Sequence, residues 1–303
     1  MKPKELQPLV AQLFARGRRR SVRVAVEQEF LVADGTTGAA VPIDRVRRAA
    51  ADTPYLSFEP GGQLELSLPC SLDPVGQLHT MVDDLTHRLA AAHISIYALP
   101  VDPRPEHEVP LQLTSPRYVA MHRHFDSIGP AGRRMMRRTA STQICLDWWP
   151  GQAGAEQWRV LNLAGPYLAA TFARSSGPHG RLTTWLEADP ARTGFDDRLL
   201  ADDFVAAYTA FAAGATVFTS GGPAEHLTTM FPPVRPRSTY LEVRFLDAQE
   251  PSAIGPVVDA LTSLMYDDAH RRRVLRRLEV DRVHLAEHWL SAANGQLDLE
   301  LVA

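Results

Sequence analysis

The segment Gln63-Leu64-Glu65-Leu66-Ser67-Leu68 alternates polar and leucine side chains without a break. Successive side chains of a β-strand point to opposite faces, so residues i, i+2 and i+4 share one side. The pattern predicts a strand with Gln63, Glu65 and Ser67 facing one way and three leucines facing the other. Four further segments carry a related signature. Residues 25–30 place Glu27 with Glu29, and residues 141–147 align Ser141, Gln143, Cys145 and Asp147. Residues 181–187 would align Arg181, Thr183, Trp185 and Glu187, and residues 240–246 align Tyr240, Glu242 and Arg244. Such a chain needs a sheet with one apolar face to bury and one polar face left for water or for chemistry.

Breaker residues divide the rest. A helix is predicted over residues 3–18 and a strand over 23–32, ending at Asp34-Gly35. Gly61-Gly62 opens the strand 63–68, and Pro69 closes it. Asp73 and Pro74 start a long helix to about residue 92, as N-cap and first helical residue. A strand follows at 93–101, then a loop marked by Pro103, Pro105 and Pro110. Helices are expected at 116–127 and 130–138, a strand at 139–148, and a helix over 155–174 with Pro166 as a kink. Residues 181–188 read as a strand and 196–213 as a helix. Pro223, Pro232, Pro233 and Pro236 make 221–237 a loop, followed by a strand at 240–246. Two helices, parted near 277–281, fill 252–293. The expectation is an α+β fold in a single domain over residues 1–303.

Composition narrows the chemistry. Of 32 basic residues only Lys2 and Lys4 are lysines. A Walker A loop, a protein-kinase lysine and a pyridoxal Schiff base each need an interior lysine, so all three are excluded. Any phosphate must be handled by arginine, backbone N–H groups and metal ions. Cys70 and Cys145 lack metal-ligand spacing and read as reduced thiols, Cys145 as a small buried hydrophobe. The 11 histidines form no HExxH motif or Cys/His cluster, which argues against a zinc site. The longest apolar runs fall short of the roughly 18 residues that span a bilayer, and a cytoplasmic protein with no membrane partner is expected. The run Arg271-Arg272-Arg273 sits in a chain of net charge −3 and reads as a solvated helix face, so no nucleic-acid partner is expected. Trp148-Trp149 reads as packing at a strand end.

A solvated sheet face would explain any one of the polar strands. Together they repeat glutamate, and Glu59 before the Gly-Gly turn adds a fifth carboxylate to Glu27, Glu29, Glu65 and Glu242. Like charges gathered in one cleft need neutralising. Hard divalent cations bridging carboxylates to phosphate oxygens do this, with arginines as phosphate clamps.

Several of these stretches resemble the glutamate–cysteine ligase superfamily, in its carboxylate–amine ligase branch. They are residues 26–30 (Val-Glu-Gln-Glu-Phe), Glu59-Pro60-Gly61-Gly62-Gln63-Leu64-Glu65-Leu66-Ser67, and residues 240–247 (Tyr-Leu-Glu-Val-Arg-Phe-Leu-Asp). Residues 226–237 resemble the actinobacterial ligases of the ergothioneine pathway. Arg117-Tyr118 with Met121, Met135-Met136 leading to Thr139-Ala140-Ser141, and Asp189-Pro190-Ala191-Arg192-Thr193 extend the match in family order. The resemblance implies an antiparallel sheet curved into a funnel and flanked by helices, as in glutamine synthetase. It implies activation of a glutamate γ-carboxylate by ATP as an acyl phosphate, which an amine, most simply cysteine, then attacks. Glu27, Glu29, Glu59, Glu65 and Glu242 would hold Mg²⁺ or Mn²⁺, and Gln143 would face the metals and nucleotide. Arg244 would meet ATP phosphate. Arg181 and Arg192 would bind a substrate carboxylate or the transferring phosphoryl group. Arg235 joins the nucleotide set, the alternative being that Arg235 and Arg237 pair with surface acids. The chain departs from the family at Cys145, where asparagine is usual, and at Ala173-Arg174-Ser175-Ser176. It is also shorter between Thr193 and His226 and at its C-terminus. A different acid and amine pair, or a non-catalytic homologue that binds nucleotide or a partner protein, are the alternatives.

Overall fold

The apolar faces of the alternating segments meet in one antiparallel sheet. The computed structural model describes residues 1–297. Its strands are β1 (Val24–Asp34), β2 (Leu56–Phe58), β3 (Leu64–Ser67), β4 (Ile94–Tyr97), β5 (Thr142–Asp147), β6 (Val234–Arg237) and β7 (Tyr240–Val243). They lie in the order β2-β3-β1-β5-β7-β6, and β4 pairs with the distal part of β1. The register sets Glu29 opposite Glu65, Glu27 opposite Gln143, and Glu242 opposite both Cys145 and Arg235. All these side chains therefore stand on one face.

The other face carries Val26, Leu64, Leu66, Ile144, Leu241 and Val243, all fully buried. Each contributes roughly 1.5–3 kcal/mol through removal from water. This face meets the helix Pro74–Ala91 at β1 and the helix Ile254–Tyr266 at β5. The long helix Gly151–Thr171 packs behind, against Asp268–Leu278 and Leu285–Ala293. The polar pair Gln28 and Thr142 is also buried on this side and is satisfied internally, Thr142 Oγ1 donating to Gln28 Oε1 at 2.7 Å. Asp73 caps the helix Pro74–Ala91 as expected, accepting from the Gly76 N–H at 3.0 Å.

Four local expectations are corrected. Residues Arg181–Ala188 form a helix, not a strand: the buried set Arg181, Thr184, Trp185 and Ala188 follows helical spacing, and eight residues hold too few repeats to separate the two periods. Residues 221–237 are not one loop. They contain the helix Gly222–Thr228, with Pro223 in its first turn, and strand β6, where Pro236 is tolerated because β6 is a sheet edge. The helix expected over 196–213 is a 3₁₀ turn, Asp197–Leu200, followed by Phe204–Gly214, which Asp203 caps. Three helices rather than two fill the C-terminal part, because Asp267 ends one and caps the next, accepting the N–H groups of Ala269 and His270 at 2.9 Å.

Arg271 also departs from the solvated face expected of its run. It is fully buried, 3.0 Å from Glu156 and 2.5 Å from Asp268, and donates to the Met265 carbonyl. Trp148-Trp149 pack as expected, Trp148 stacking on Trp158 and Trp149 on Tyr266. Among the described residues no helix is long and apolar enough to cross a membrane.

Candidate active site

Glu29, Glu59 and Glu65 each offer a carboxylate oxygen within 4.8 Å of the other two. Each is held by local structure. Glu29 is buried; Oε2 accepts the Ser141 N–H at 2.7 Å and Oε1 accepts Gln143 Nε2 at 3.1 Å. Glu65 Oε1 accepts the hydroxyls of Ser57, opposite on β2, and Ser67, two residues along β3, at 2.7 and 2.8 Å, and the two aim it. Glu59 precedes a turn in which its carbonyl accepts the Gly62 N–H at 2.9 Å. That turn needs its glycines: a Cβ on Gly61 would lie 2.1 Å from the Arg137 carbonyl oxygen, and Gly62 has φ +89°. Gln63 is buried as a brace beneath it, accepting from the Gly61 N–H and donating to the Thr139 carbonyl.

Burial, followed by the charge of Glu65, pushes the Glu29 carboxyl up to about 7, against the opposing pull of Arg181 and Arg244. Burial and the charges of Glu65 and Glu29 push Glu59 well above the usual carboxylate range. Glu27 lies on the same face and is raised to about 7 by burial, Glu242 and Glu65. Carboxylates so placed carry an unmet demand for positive charge. Beside them Gln143 Oε1 is buried with no hydrogen-bond partner. A hard oxygen set with one orphaned carbonyl suits an Mg²⁺- or Mn²⁺-class ion.

Glu242 has a different environment. Its carboxylate pairs with Arg235 Nη1 at 3.5 Å, with Arg237 Nε at 3.0 Å, and with Arg244. Burial would raise it, but the guanidiniums of Arg235, Arg244 and Arg237 outweigh burial and hold it at about 2. Burial and the nearby Arg244 lower Arg235 to about 10. Arg235 and Arg237 therefore pair with a buried acid on the sheet, not with surface acids. β6 and β7 are hydrogen-bonded neighbours, which is what delivers two arginines of the Pro-rich segment to Glu242.

A pocket between these groups is lined by Glu29, Glu59, Arg181, Trp185, Arg244 and Phe231, with Met121, Met135 and Met136 on its apolar side. Arg181 reaches it from the helix Arg181–Ala188 and is 2% exposed. Its Nη1 and Nη2 donate to the carbonyls of Phe245 and Arg244 at 3.1 and 3.0 Å, so it braces the backbone that carries Arg244. The Nε of Arg181, the Nε of Arg244 and the indole N–H of Trp185 are buried without acceptors. Buried donors without partners in a pocket mark a place for an acceptor-rich ligand.

Arg192 is not part of this pocket. It is fully buried, with Nε 3.0 Å from Asp189 Oδ2, Nη1 donating to Thr229 Oγ1 at 2.7 Å, and Nη2 donating to the Thr216 carbonyl. Its three nitrogens are engaged, which departs from the expected contact with substrate. His124, which also touches Asp189 at 2.8 Å and stacks on Phe218, completes this structural knot. Thr183 and Glu187, aligned with Arg181 only by the strand reading, are likewise not among the pocket-lining residues. The three methionines and Phe231 lie in the family-like stretches but are not singled out as site residues, because isolated apolar side chains read as core.

The model of glutamate–cysteine ligase family 2 matches residues 23–298. The glutamate–cysteine ligase EgtA of Mycolicibacterium smegmatis is 31% identical over 276 residues, covering 74% of this chain and 64% of that protein. EgtA of Mycobacterium tuberculosis is 30% identical over 288 residues, covering 78% and 64%. The chloroplastic glutamate–cysteine ligase of Medicago truncatula is 26% identical, covering 73% and 52%. The chain thus spans under two thirds of the length of these relatives. Two solved structures share the fold: a bifunctional glutathione synthetase from Pasteurella multocida (TM-score 0.56, 16% identity, 94% of this chain and 43% of that one) and a glutamate–cysteine ligase from Francisella tularensis in complex with AMP (TM-score 0.54, 14% identity, 92% and 72%). The strand motifs that carry the acidic face fall within the matched residues, and the chain belongs to glutamate–cysteine ligase family 2.

Proposed function

We propose that this chain is an ATP- and Mg²⁺-dependent ligase that joins the γ-carboxylate of glutamate to an amine, most simply that of cysteine. The observation that carries this reading is one sheet face with a three-carboxylate group beside an arginine cluster. Glu29, Glu59 and Glu65 each bring a carboxylate oxygen within 4.8 Å of the other two, while Arg235, Arg237 and Arg244 surround Glu242 on the far side of β5. Glu29, Glu59 and Glu65 would hold divalent cations, with Glu27 and Gln143 at their border. Bound there, the cation would neutralise phosphate charge during transfer.

Arg244 and Arg235 would turn from Glu242 toward phosphate oxygens, since guanidinium binds carboxylate and phosphate with the same bidentate geometry. Glu242 then acts as a holder of arginines as much as a metal ligand. Arg181 would keep the Arg244 backbone in place and offer its free Nε to the acid substrate, beside Trp185. Catalysis would rest on positioning and on charge stabilisation of the transferring phosphoryl group.

ADP release by the full chain with Mg²⁺-ATP, glutamate and cysteine tests this. ADP formed only when acid, amine and Mg²⁺ are all present supports it. No turnover together with no Mg²⁺-ATP binding by calorimetry overturns it in favour of a non-catalytic homologue. A second reading keeps the ATP chemistry with another acid and amine. Met121, Met135, Met136 and Phe231 along the pocket favour it, because an apolar wall suits an acid less polar than glutamate. An ADP-release screen across acids and amines separates the two.

A further inference from the structure

We propose that Gln112, in the loop before the helix Pro116–Ile128, is a positioning residue for Glu59, and through it for a divalent cation at the three-carboxylate group. The proposal rests on the cation-binding reading of Glu29, Glu59 and Glu65. Glu29 and Glu65 are aimed by donors to their carboxylates. Among the described residues, the hydrogen bonds that fix Glu59 are those of its backbone. Its N–H donates to the Gln63 carbonyl at 2.8 Å, and its carbonyl accepts the Gly62 N–H at 2.9 Å. The place of the Glu59 carboxylate therefore depends on the turn Glu59-Pro60-Gly61-Gly62. A Gly-Gly pair is the most permissive backbone a turn can have, so contacts from outside must hold it.

Gln112 supplies those contacts. Its backbone N–H donates to the Pro60 carbonyl at 2.7 Å, and its Nε2 donates to the Gly61 carbonyl at 3.3 Å. The same Nε2 donates to the Val41 carbonyl at 3.1 Å, and Oε1 accepts the Ile43 N–H at 2.9 Å. One side chain thus ties the turn to the buried segment that leads into the helix Ile43–Ala49. The glycines admit this grip: a Cβ on Gly62 would lie 2.2 Å from Gln112 Nε2. Gln112 does not line the pocket, so it acts through the turn and not by touching the ion. Small displacements matter, because Mg²⁺ demands near-octahedral oxygen ligands at about 2.0–2.1 Å. Residues that orient a ligand typically change metal affinity by about 10–100-fold when removed.

Titration of the metal-free full chain with Mn²⁺, without ATP and read by loss of the free-ion electron paramagnetic resonance signal, tests this. Q112A should weaken Mn²⁺ binding at least tenfold. Q112M keeps the length of the side chain but not its hydrogen bonds and should do the same, so either variant that folds suffices. Q157A is the matched control. Gln157 is a buried glutamine on the helix Gly151–Thr171 that accepts the Trp149 N–H and donates to the Met265 carbonyl. Q157A should melt at a lower temperature and keep its Mn²⁺ affinity within about twofold of wild type. In an E59Q background, adding Q112A should weaken binding by less than about twofold more, because no carboxylate is left to aim. Folded Q112A or Q112M with wild-type affinity, or a tenfold loss that persists in the E59Q background, overturns the proposal. A wild-type chain that takes up no Mn²⁺ overturns the cation reading of the three glutamates, and the proposal with it.

Discussion

Glu29 and Glu65 stand directly opposite each other on paired antiparallel strands, with Glu59 closing the group from the adjoining turn. Like charges in cross-strand register destabilise a sheet. The arrangement gathers three carboxylates at a place where hydroxyl and backbone donors hold two of them, Glu29 and Glu65.

The first prediction follows from the raised Glu29 and Glu27 carboxyls, both at about 7 against an ordinary value of 4.5. Above 4.5 the unfolded chain releases protons that the native chain still holds, so stability falls as pH rises. Without added metal, the melting temperature should decline between about pH 4.5 and 7. Saturating Mg²⁺ should remove much of the decline, and E29Q should flatten it. Melts across that range in wild type and E29Q with identical slopes would sink the assignment.

Glu242 gives the opposite sign. Its carboxyl is held at about 2, so its contribution is complete above the unfolded value of 4.5 and is lost as pH falls through 2. Removing its charge strands three arginines around a buried position. E242Q should lose about 3 kcal/mol in urea unfolding and should form no ADP. A wild-type unfolding midpoint in E242Q would remove Glu242 as the neutralising partner of the cluster.

Arg192 should behave as a structural residue. Lysine cannot serve Asp189, Thr229 and Thr216 together, because its ammonium lacks the planar fork. R192K should lose about 2 kcal/mol of stability by urea titration. At a temperature where the variant is folded, KM for the acid substrate should stay within about twofold of wild type. A tenfold rise in that KM at unchanged stability would instead place Arg192 against substrate.

Trp185 offers the reverse case, since its indole N–H is buried with no acceptor. W185F removes no protein hydrogen bond, and its melting temperature should fall only modestly, through the packing lost against Phe231 and Arg181. Losing a hydrogen bond from the indole N–H to a charged acceptor costs about 1.5–3 kcal/mol, so KM for the acid should rise at least tenfold. Unchanged KM would show that the N–H does not meet the substrate.

The polar faces of β1, β3, β5 and β7 were legible because a period of two survives in short segments when Leu and Glu alternate. The helix Arg181–Ala188 was not, since Thr183 and Thr184 favour extended structure and one alternation across eight residues mimics a strand. For Arg235 and Arg237 pairing with surface acids stayed open as an alternative because prolines flank them, and only the edge position of β6 makes those prolines compatible with a strand. Arg271 was misplaced for a similar reason: a run of arginines shows no preference for water until Glu156 is seen beneath one of them.

Alternation by itself determined which side chains share a face, because that follows from the geometry of one strand. Tertiary structure alone decided how the five glutamates divide. Glu29, Glu59 and Glu65 converge, Glu27 turns toward Cys145, and Glu242 is enclosed by arginines. The division is set by register and by strand order, which depend on hydrogen bonds between segments that lie far apart in the sequence and on the helices that bury the opposite face. No local pattern encodes those pairings.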